Sequence, residues 1–254
     1  MELPKNIFKR ALKEKTRQIG IWCTLPDNSV VEILAGCGYD WILIDTEHAP
    51  TTTVDTMALM QAASAYPVTT IVRPSWNNAA EIKKLLDCGA QTLLIPYVQN
   101  AQEAKDAVAA VTYPPKGIRG VSGLTRASRY GGIVDYAKHA HEEICLLVQA
   151  ESAEALEQIE SIAAVEGVDG IFIGPADLAA SMGYTGEPSH PKVKAAILDG
   201  IKRINAAGKA SGVLSSDQDF LKEADEANVT FMAIDIDVRV LRHNALSRLA
   251  QWKN

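Results

Sequence analysis

Two acidic residues of this sequence suit a metal site by their type and position. Glu151 and Asp177 each stand just beyond an apolar run, and the two runs are neighbours along the chain. If these runs are adjacent parallel strands, the two carboxylates converge, and oxygen ligands of this kind favour a hard divalent cation such as Mg²⁺ or Mn²⁺. The alternative is that each acid only caps the helix that begins beside it.

The stretch around Asp177 also offers an anion site. In DGIFIGPADL, residues 169–178, an apolar run ends at Gly174 and turns into a helix-compatible segment. Pro175 suits a first helical turn, and the backbone N–H groups of Ala176 and Asp177 are then free to attract an anion. A carboxylate on an anion-attracting backbone indicates a cation held between Asp177 and an anionic ligand.

A candidate base follows an earlier apolar run. Asp45 and His48 stand three residues apart, and a carboxylate beside an imidazole fixes its tautomer and raises its basicity, which suits a general base. Glu47 is a further candidate in the same stretch. A surface turn without chemistry is the alternative.

Two more polar residues stand at the ends of apolar runs. Arg73 directly follows Val72, and a guanidinium kept over a cavity needs an anion. That anion is either a substrate or one of the nearby acids, Asp45 or Glu47. Gln149 precedes Glu151 by two residues and is expected to point to the same place.

These candidates require a scaffold that brings several strand ends together. Eight short apolar runs alternate with longer segments of helical period. The runs are Ile19–Cys23, Trp41–Ile44, Val68–Val72, Thr92–Ile95, Ile144–Val148, Val168–Ile173, Lys209–Val213 and Thr230–Ile234. The helical segments are Ser29–Cys37, Thr53–Ala65, Asn78–Cys88, Ala101–Val111, Val134–His141, Ala153–Ala163, Pro191–Ala207 and Asp217–Ala227.

This repeat predicts an α/β fold, a (β/α)₈ TIM barrel, as a single domain over residues 1–254. Its active face lies at the carboxyl ends of the strands, where all the candidates above fall. An open doubly wound sheet is the rival, and it is weakened because no Gly-rich dinucleotide fingerprint follows the first run.

Three segments lie outside the repeat. Met1–Gln18 predicts an extra amphipathic helix at the N-terminus, and Val238–Trp252 predicts a last helix. Tyr113–Gly132 is too long for an ordinary connection, and its glycines, prolines and basic residues favour a shaped loop over the active face. The apolar face of the first helix comprises Ile7, Phe8, Ala11 and Leu12.

The composition argues against several classes of protein. The net charge is −6 without long charge runs, unlike the basic footprint of a nucleic-acid binder. No stretch approaches transmembrane length and the N-terminus lacks a signal-peptide core, so we expect no membrane partner and a cytoplasmic protein. The scattered cysteines predict buried reduced thiols. They are Cys23, Cys37, Cys88 and Cys145.

Five motifs follow one another in register from about Phe8 to Trp252. They are WILIDTEHAP at 41–50, IVRP at 71–74, YPPKGIRG at 113–120, VQAES at 148–152 and FIGPADL at 172–178. As an ordered set they resemble the HpcH/HpaI aldolases, the metal-dependent class II pyruvate aldolases. Within that family the loop RGVSGLTRAS, residues 119–128, is most similar to the 4-hydroxy-2-oxoheptanedioate aldolases.

The resemblance implies a metal and a base. Glu151 and Asp177 match the ligands of a divalent cation, which is Mg²⁺, Mn²⁺ or Co²⁺ in such enzymes. His48, oriented by Asp45, matches the catalytic base.

The resemblance also implies a substrate site and an assembly. Arg73 matches the residue that stabilises the pyruvate enolate, and Gln149 matches a substrate-binding residue. The N–H groups of Ala176 and Asp177 match the site of the pyruvate carboxylate. Family members are homohexamers, trimers of dimers, with the last helix exchanged between subunits.

The function implied by the resemblance is that of a lyase. It would reversibly cleave a 4-hydroxy-2-oxo acid, such as 4-hydroxy-2-oxoheptanedioate, to pyruvate and an aldehyde. A 2-keto-3-deoxy-sugar-acid aldolase and an oxaloacetate decarboxylase share the pyruvate half-site and stay open as alternatives. A barrel that only binds 2-oxo acids is the alternative outside enzymes, and Asp45, His48 and Arg73 count against it because mere binding needs no base.

Overall fold

The computed structural model describes residues 1–253 as a closed parallel barrel. Its strands are β1 (Gln18–Cys23), β2 (Trp41–Asp45), β3 (Thr69–Arg73), β4 (Thr92–Ile95), β5 (Cys145–Ala150), β6 (Gly170–Ile173), β7 (Ala210–Leu214) and β8 (Phe231–Ile236). They pair in chain order, and β8 closes onto β1 with one irregularity in register. The predicted (β/α)₈ barrel is confirmed, and the predicted strand ends differ from the observed ones by at most two residues.

Helices surround the barrel and connect its strands. They are α1 (Ile7–Lys13), α2 (Asn28–Ala35), α3 (Thr53–Ala63), α4 (Ala79–Asp87), α5 (Ala101–Val111), α6 (Tyr136–Glu143), α7 (Ala153–Glu157), α8 (Ile159–Ala163), α9 (Pro175–Ser181), α10 (Pro191–Ala206), α11 (Gln218–Glu226) and α12 (Asp237–Ala250). The helix predicted over residues 153–163 is divided in two at Gln158.

The N-terminal helix is shorter than predicted. Of the segment Met1–Gln18, only α1 is helical, because Asn6 caps its start through its side-chain oxygen. Phe8 and Leu12 are buried as expected, whereas Ile7 is exposed.

Two apolar layers stabilise the barrel. One lies between the sheet and the surrounding helices, and the other fills the barrel interior, with Phe8 and Leu12 of α1 packed at its amino-terminal end. Trp41 lies in this interior, and Gly20 makes room for it, because a Cβ at position 20 would lie 2.1 Å from the indole. The interior is therefore a packed core, and ligands are confined to the strand ends.

The long segment Tyr113–Gly132 lies at the amino-terminal ends of the strands. It leads from α5 to α6, and within it Arg126 donates from Nη1 to the backbone oxygen of Cys88, just after α4, at 2.8 Å. The prediction of a loop over the active face is therefore wrong for the single chain. The reason is topological, since helix-to-strand connections lie at the opposite face from the strand-to-helix loops.

The cysteines are free thiols that differ in exposure. Cys23 and Cys145 are buried as predicted, Cys88 is partly buried and Cys37 is exposed. The prediction of burial is wrong for Cys37, because α2 ends at Ala35 and leaves this residue outside the packed face. Within residues 1–253, no helix combines the length and the apolar content that crossing a bilayer would need.

Candidate active site

The structure brings the predicted residues together at the carboxyl ends of β2, β3, β5 and β6. Asp45 and Arg73 are the last residues of their strands and pair directly in register. Gln149 lies in β5, and Glu151 follows the end of that strand. Asp177 lies in the first turn of α9, directly after β6.

Arg73 is buried and held by two carboxylates. Its Nε donates to Asp45 Oδ1 at 2.9 Å and its Nη2 donates to Asp45 Oδ2 at 2.6 Å, a bidentate pair. Its Nη1 lies 2.8 Å from Glu47 Oε2, at an angle that does not make a hydrogen bond. The guanidinium also stacks on Trp22, with its carbon 4.9 Å from the ring centroid. Both ion pairs considered from the sequence are therefore present.

Asp45 positions the turn that carries His48. Its carboxylate accepts hydrogen bonds from the backbone N–H groups of Glu47 at 3.0 Å and His48 at 3.4 Å. Burial acts to raise the pKa of Asp45, but its hydrogen bonds to Arg73 and to this turn hold it below its ordinary value.

The imidazole of His48 is exposed beside Glu47. Its side chain is 65% accessible, and Nε2 lies 4.0 Å from Glu47 Oε2. Within residues 1–253, Asp45 makes its hydrogen bond to the main chain of His48 and not to the ring. The ring is therefore accessible to a substrate.

Glu151 is almost completely buried and oriented from two sides. Its Oε1 accepts the backbone N–H of Tyr97 at 2.8 Å and its Oε2 accepts Gln149 Nε2 at 2.6 Å. Gly174 allows this placement, because a Cβ there would lie 2.2 Å from Oε2. The cap of α7 is Ser152, so the alternative that Glu151 serves as a helix cap does not hold.

Asp177 is exposed in the first turn of α9. The helix starts at Pro175 after Gly174, and no side chain caps it. Helix geometry leaves the N–H groups of Ala176 and Asp177 without intrahelical partners. The segment thus presents a carboxylate and two free donors at the same edge of the site.

Burial, together with the like charges of neighbouring acids, raises the pKa of two carboxylates of the site. Burial raises the pKa of Glu151 to about 7; the Tyr97 hydrogen bond opposes this, and the charges of Asp177 and Glu47 add to it. Burial likewise raises the pKa of Glu47 to about 7, against the effect of Arg73. A bound cation would relieve the repulsion between like charges that disfavours their ionised forms.

The charge balance of the site fits a divalent cation. Four carboxylates, those of Asp45, Glu47, Glu151 and Asp177, stand against the single guanidinium of Arg73. Among residues 1–253, no group of three or more His, Cys, Asp or Glu side chains is arranged to hold a metal ion. A cation at Glu151 and Asp177 would therefore take two protein ligands and leave positions for water and substrate.

Two contributors to the site were not identified in the sequence. Trp22 is the next-to-last residue of β1, and its Nε1 donates to Asp45 Oδ2 at 3.3 Å. Tyr97 follows β4 and acts through its backbone N–H. Their places just at or after apolar runs were the available signal, but neither side chain is of a type that suggests metal or proton chemistry.

Known proteins resemble this chain in sequence and in fold. The model of the HpcH/HpaI aldolase/citrate lyase family matches residues 18–244. The chain is 60% identical to a hydroxypyruvate/pyruvate aldolase of Sagittula stellata, over 99% of this chain and 100% of that protein. It is 50% identical to a 4-hydroxy-2-oxo-heptane-1,7-dioate aldolase of Salmonella dublin, over 98% and 95%.

A solved structure has the same architecture. An HpcH/HpaI aldolase/citrate lyase family protein of Burkholderia cenocepacia J2315 superposes with a TM-score of 0.95 at 34% identity, covering 98% of this chain and 100% of that one. With the family model matching most of the sequence, this chain belongs to the HpcH/HpaI aldolase/citrate lyase family.

Proposed function

We propose that this chain is a divalent-metal-dependent lyase that reversibly cleaves 4-hydroxy-2-oxo acids to pyruvate and an aldehyde. The observation that carries the proposal is the buried carboxylate of Glu151, which shares a strand-end site with Asp177 and Glu47, while the nearby guanidinium of Arg73 is already paired with Asp45 and Glu47. Relatives named as aldolases support the reaction class.

Glu151 and Asp177 would hold the cation, which we propose to be Mg²⁺, Mn²⁺ or Co²⁺. When bound, it supplies Lewis-acid charge to the 2-oxo group of the substrate. Gln149 uses one amide hydrogen on Glu151 and retains a second for a substrate oxygen. The N–H groups of Ala176 and Asp177 suit the substrate carboxylate.

Arg73 would stabilise the charge that develops during cleavage. As the C3–C4 bond breaks, its electron pair moves toward C2 and gives the pyruvate enolate. A guanidinium fixed by Asp45 needs little reorganisation to meet that charge, because its orientation already exists before the reaction.

His48 would carry the proton. Its exposed imidazole accepts the proton of the C4 hydroxyl as the aldehyde forms, and returns it in the synthetic direction. The Asp45 carboxylate keeps the turn, and with it the ring, at the rim of the site. The enolate then takes a proton at C3 from solvent to give pyruvate, and the imidazolium of His48 releases its proton to solvent, so that no net proton is gained or lost.

The donor substrate has a second candidate. The relative of 60% identity is named for hydroxypyruvate as well as pyruvate, and we propose hydroxypyruvate as a second donor for this site. The two donors differ by one hydroxyl group at C3. An aldol-addition assay with each donor and a panel of aldehydes, including one with a distal carboxylate, separates these substrates.

We propose a homohexamer, a trimer of dimers, as the assembly. α12 begins at the buried carboxylate of Asp237, but beyond its first turn most of its side chains are exposed, among them Leu241 and Leu249. A helix with exposed leucines supports burial against a second copy. Light scattering after size-exclusion chromatography measures the assembly, and a monomer would contradict it. The cytoplasmic location stays a prediction.

Pyruvate release coupled to lactate dehydrogenase tests the reaction. We expect cleavage of 4-hydroxy-2-oxo acids, loss of activity after chelation with EDTA and recovery on addition of Mn²⁺ or Mg²⁺. Full activity after thorough chelation would contradict the metal role. Binding of pyruvate without turnover of any substrate would favour the binding barrel.

A further inference from the structure

Two exposed aromatic side chains stack at the rim beside Glu151. Trp76 follows β3 and Tyr97 follows β4, and they are 54% and 40% exposed. Their ring centroids are 5.5 Å apart and the rings are inclined by 26°. The stack thus links the loops after two neighbouring strands of the barrel.

The backbone of Tyr97 has a conformation that a side chain disfavours. Its φ is +53°, in the left-handed region where a Cβ meets the following carbonyl. In this conformation its N–H donates to Glu151 Oε1 at 2.8 Å. The next N–H, of Val98, donates to the backbone oxygen of Gln149 at 2.9 Å. The disfavoured residue is therefore the one that orients the buried acid.

Trp76 lies in a loop whose neighbouring residues are hydrogen-bonded to two helices. On one side, Ser75 donates from its N–H at 2.9 Å and from its hydroxyl at 2.7 Å to the carboxylate of Glu81 in α4. On the other side, Asn77 donates to the backbone oxygen of Glu103 in α5 at 3.0 Å. Because both neighbours are tied to helices, the indole is a fixed support for the Tyr97 ring.

We propose that Trp76 and Tyr97 are a positioning pair for Glu151. The indole holds the Tyr97 ring, the ring keeps the backbone left-handed, and that backbone aims its N–H at the carboxylate. The inference rests on the proposed metal function, because it concerns the orientation of a carboxylate that would bind the cation. Groups that orient a metal ligand set its affinity by roughly 10- to 100-fold.

Titration calorimetry of the full chain with Mn²⁺ tests the stack. We expect Trp76→Ala to weaken Mn²⁺ binding by about 10-fold, while Trp76→Phe, which still offers a ring, retains most of the affinity. Tyr97→Phe keeps the stack and should bind as the wild type does. Wild-type affinity in Trp76→Ala would overturn the proposal.

A second pair of variants tests the backbone. Tyr97→Ala and Tyr97→Gly both remove the ring, but only glycine adopts positive φ without strain. We expect Tyr97→Ala to bind Mn²⁺ more weakly than Tyr97→Gly, with circular dichroism showing that both fold. Equal losses would overturn the backbone explanation.

Glu151→Gln separates the two proposals. If it weakens Mn²⁺ binding while Trp76→Ala does not, only the positioning pair fails. If Glu151→Gln leaves the affinity unchanged, the metal site itself is wrong, and the positioning pair is overturned with it.

Discussion

Two buried glutamates lie at the opposite ends of β5, and their carboxylates have different neighbours. At the amino end, Glu143 accepts the backbone N–H of Asn6 at 2.7 Å and pairs with Lys5 at 3.1 Å and Arg10 at 3.4 Å. Burial acts to raise its pKa, but these partners hold the pKa below its ordinary value. At the carboxyl end, burial raises the pKa of Glu151 to about 7.

The two glutamates differ in the amount of positive charge that lies next to them. Both acids are at least nine-tenths buried, with exposures of 5% and 3%. Glu143 pairs with two cations of the N-terminal segment. Glu151 accepts only an amide and one backbone N–H, faces further carboxylates, and lies near one cation, Arg73, which is paired with Asp45 and Glu47. A buried charge without its counter-charge is costly. At the carboxyl end, the free-energy cost of burying the Glu151 carboxylate is therefore not offset within the protein, and a bound cation would offset it. This is typical of a binding site, whereas the ion pairs of Glu143 are typical of a structural contact.

The largest expected effect comes from Glu151→Gln. Replacing this carboxylate should lower kcat for pyruvate release by on the order of 10³-fold, because the cation that supplies Lewis-acid charge loses a ligand. Steady-state kinetics at saturating Mn²⁺ measure it, with Glu143→Gln as the matched control at the other end of the strand. A similar loss in both variants would remove the distinction between the two ends.

Arg73→Ala should have the next largest effect. We expect kcat to fall on the order of 10²-fold, because the guanidinium fixed by Asp45 no longer meets the enolate charge. Pyruvate binding, measured as product inhibition, should remain detectable because the strand-end donors of α9 are intact. Near-normal kcat would contradict the enolate role.

The fold and most residues of the candidate site could be predicted from the sequence. Alternating apolar runs and helical segments predict a parallel barrel, and barrel topology alone then gathers Asp45, Arg73, Glu151 and Asp177 at one face. The residue types suggested a metal site and a base but left a helix cap and a surface turn open as alternatives, and the family resemblance favoured the catalytic roles.

What the sequence did not reveal depends on side-chain direction and backbone conformation. Glu47 was only a further candidate in the sequence, yet its carboxylate lies close to both the guanidinium of Arg73 and the imidazole of His48. The contribution of Tyr97 comes from a backbone N–H, which every non-proline residue has. The loop 113–132 was placed at the wrong face, because its composition is that of a functional loop while its connectivity puts it at the amino end.

Glu143→Gln should reduce stability slightly and leave catalysis unchanged. A glutamine oxygen can still accept the Asn6 N–H, and Lys5 and Arg10 are more than half exposed, so their charges regain water. We expect a loss of about 1 kcal/mol in the free energy of unfolding, which lowers Tm by about 2–4 °C. Thermal unfolding by circular dichroism measures it. A loss of Mn²⁺ affinity in this variant would contradict the structural role of Glu143.

The last prediction concerns pH and sharpens the contrast between the two ends. The pKa of Glu151 is about 7 in the folded chain against an ordinary 4.5, so the folded state holds a proton that the unfolded state has released between these values. Stability of the metal-free chain therefore falls as pH rises through this window, and the penalty is complete above it. The pKa of Glu143 is lowered instead, so the contribution of Glu143 to folding stability is constant across this pH window.

Thermal unfolding of the metal-free chain at about pH 6 and about pH 8 measures the effect of ionising Glu151, at the carboxyl end of β5, on stability. We expect Tm to be lower at the higher pH, and Mn²⁺ to raise Tm more at the higher pH because the cation binds the ionised acids. The drop should shrink in Glu151→Gln, which has no charge to bury, and persist in Glu143→Gln. Titrating groups elsewhere in the protein change Tm equally in all three chains, so they do not contribute to the difference between the chains. An undiminished drop in Glu151→Gln would assign the pH-sensitive charge to a group other than Glu151, such as Glu47, whose pKa is also raised to about 7.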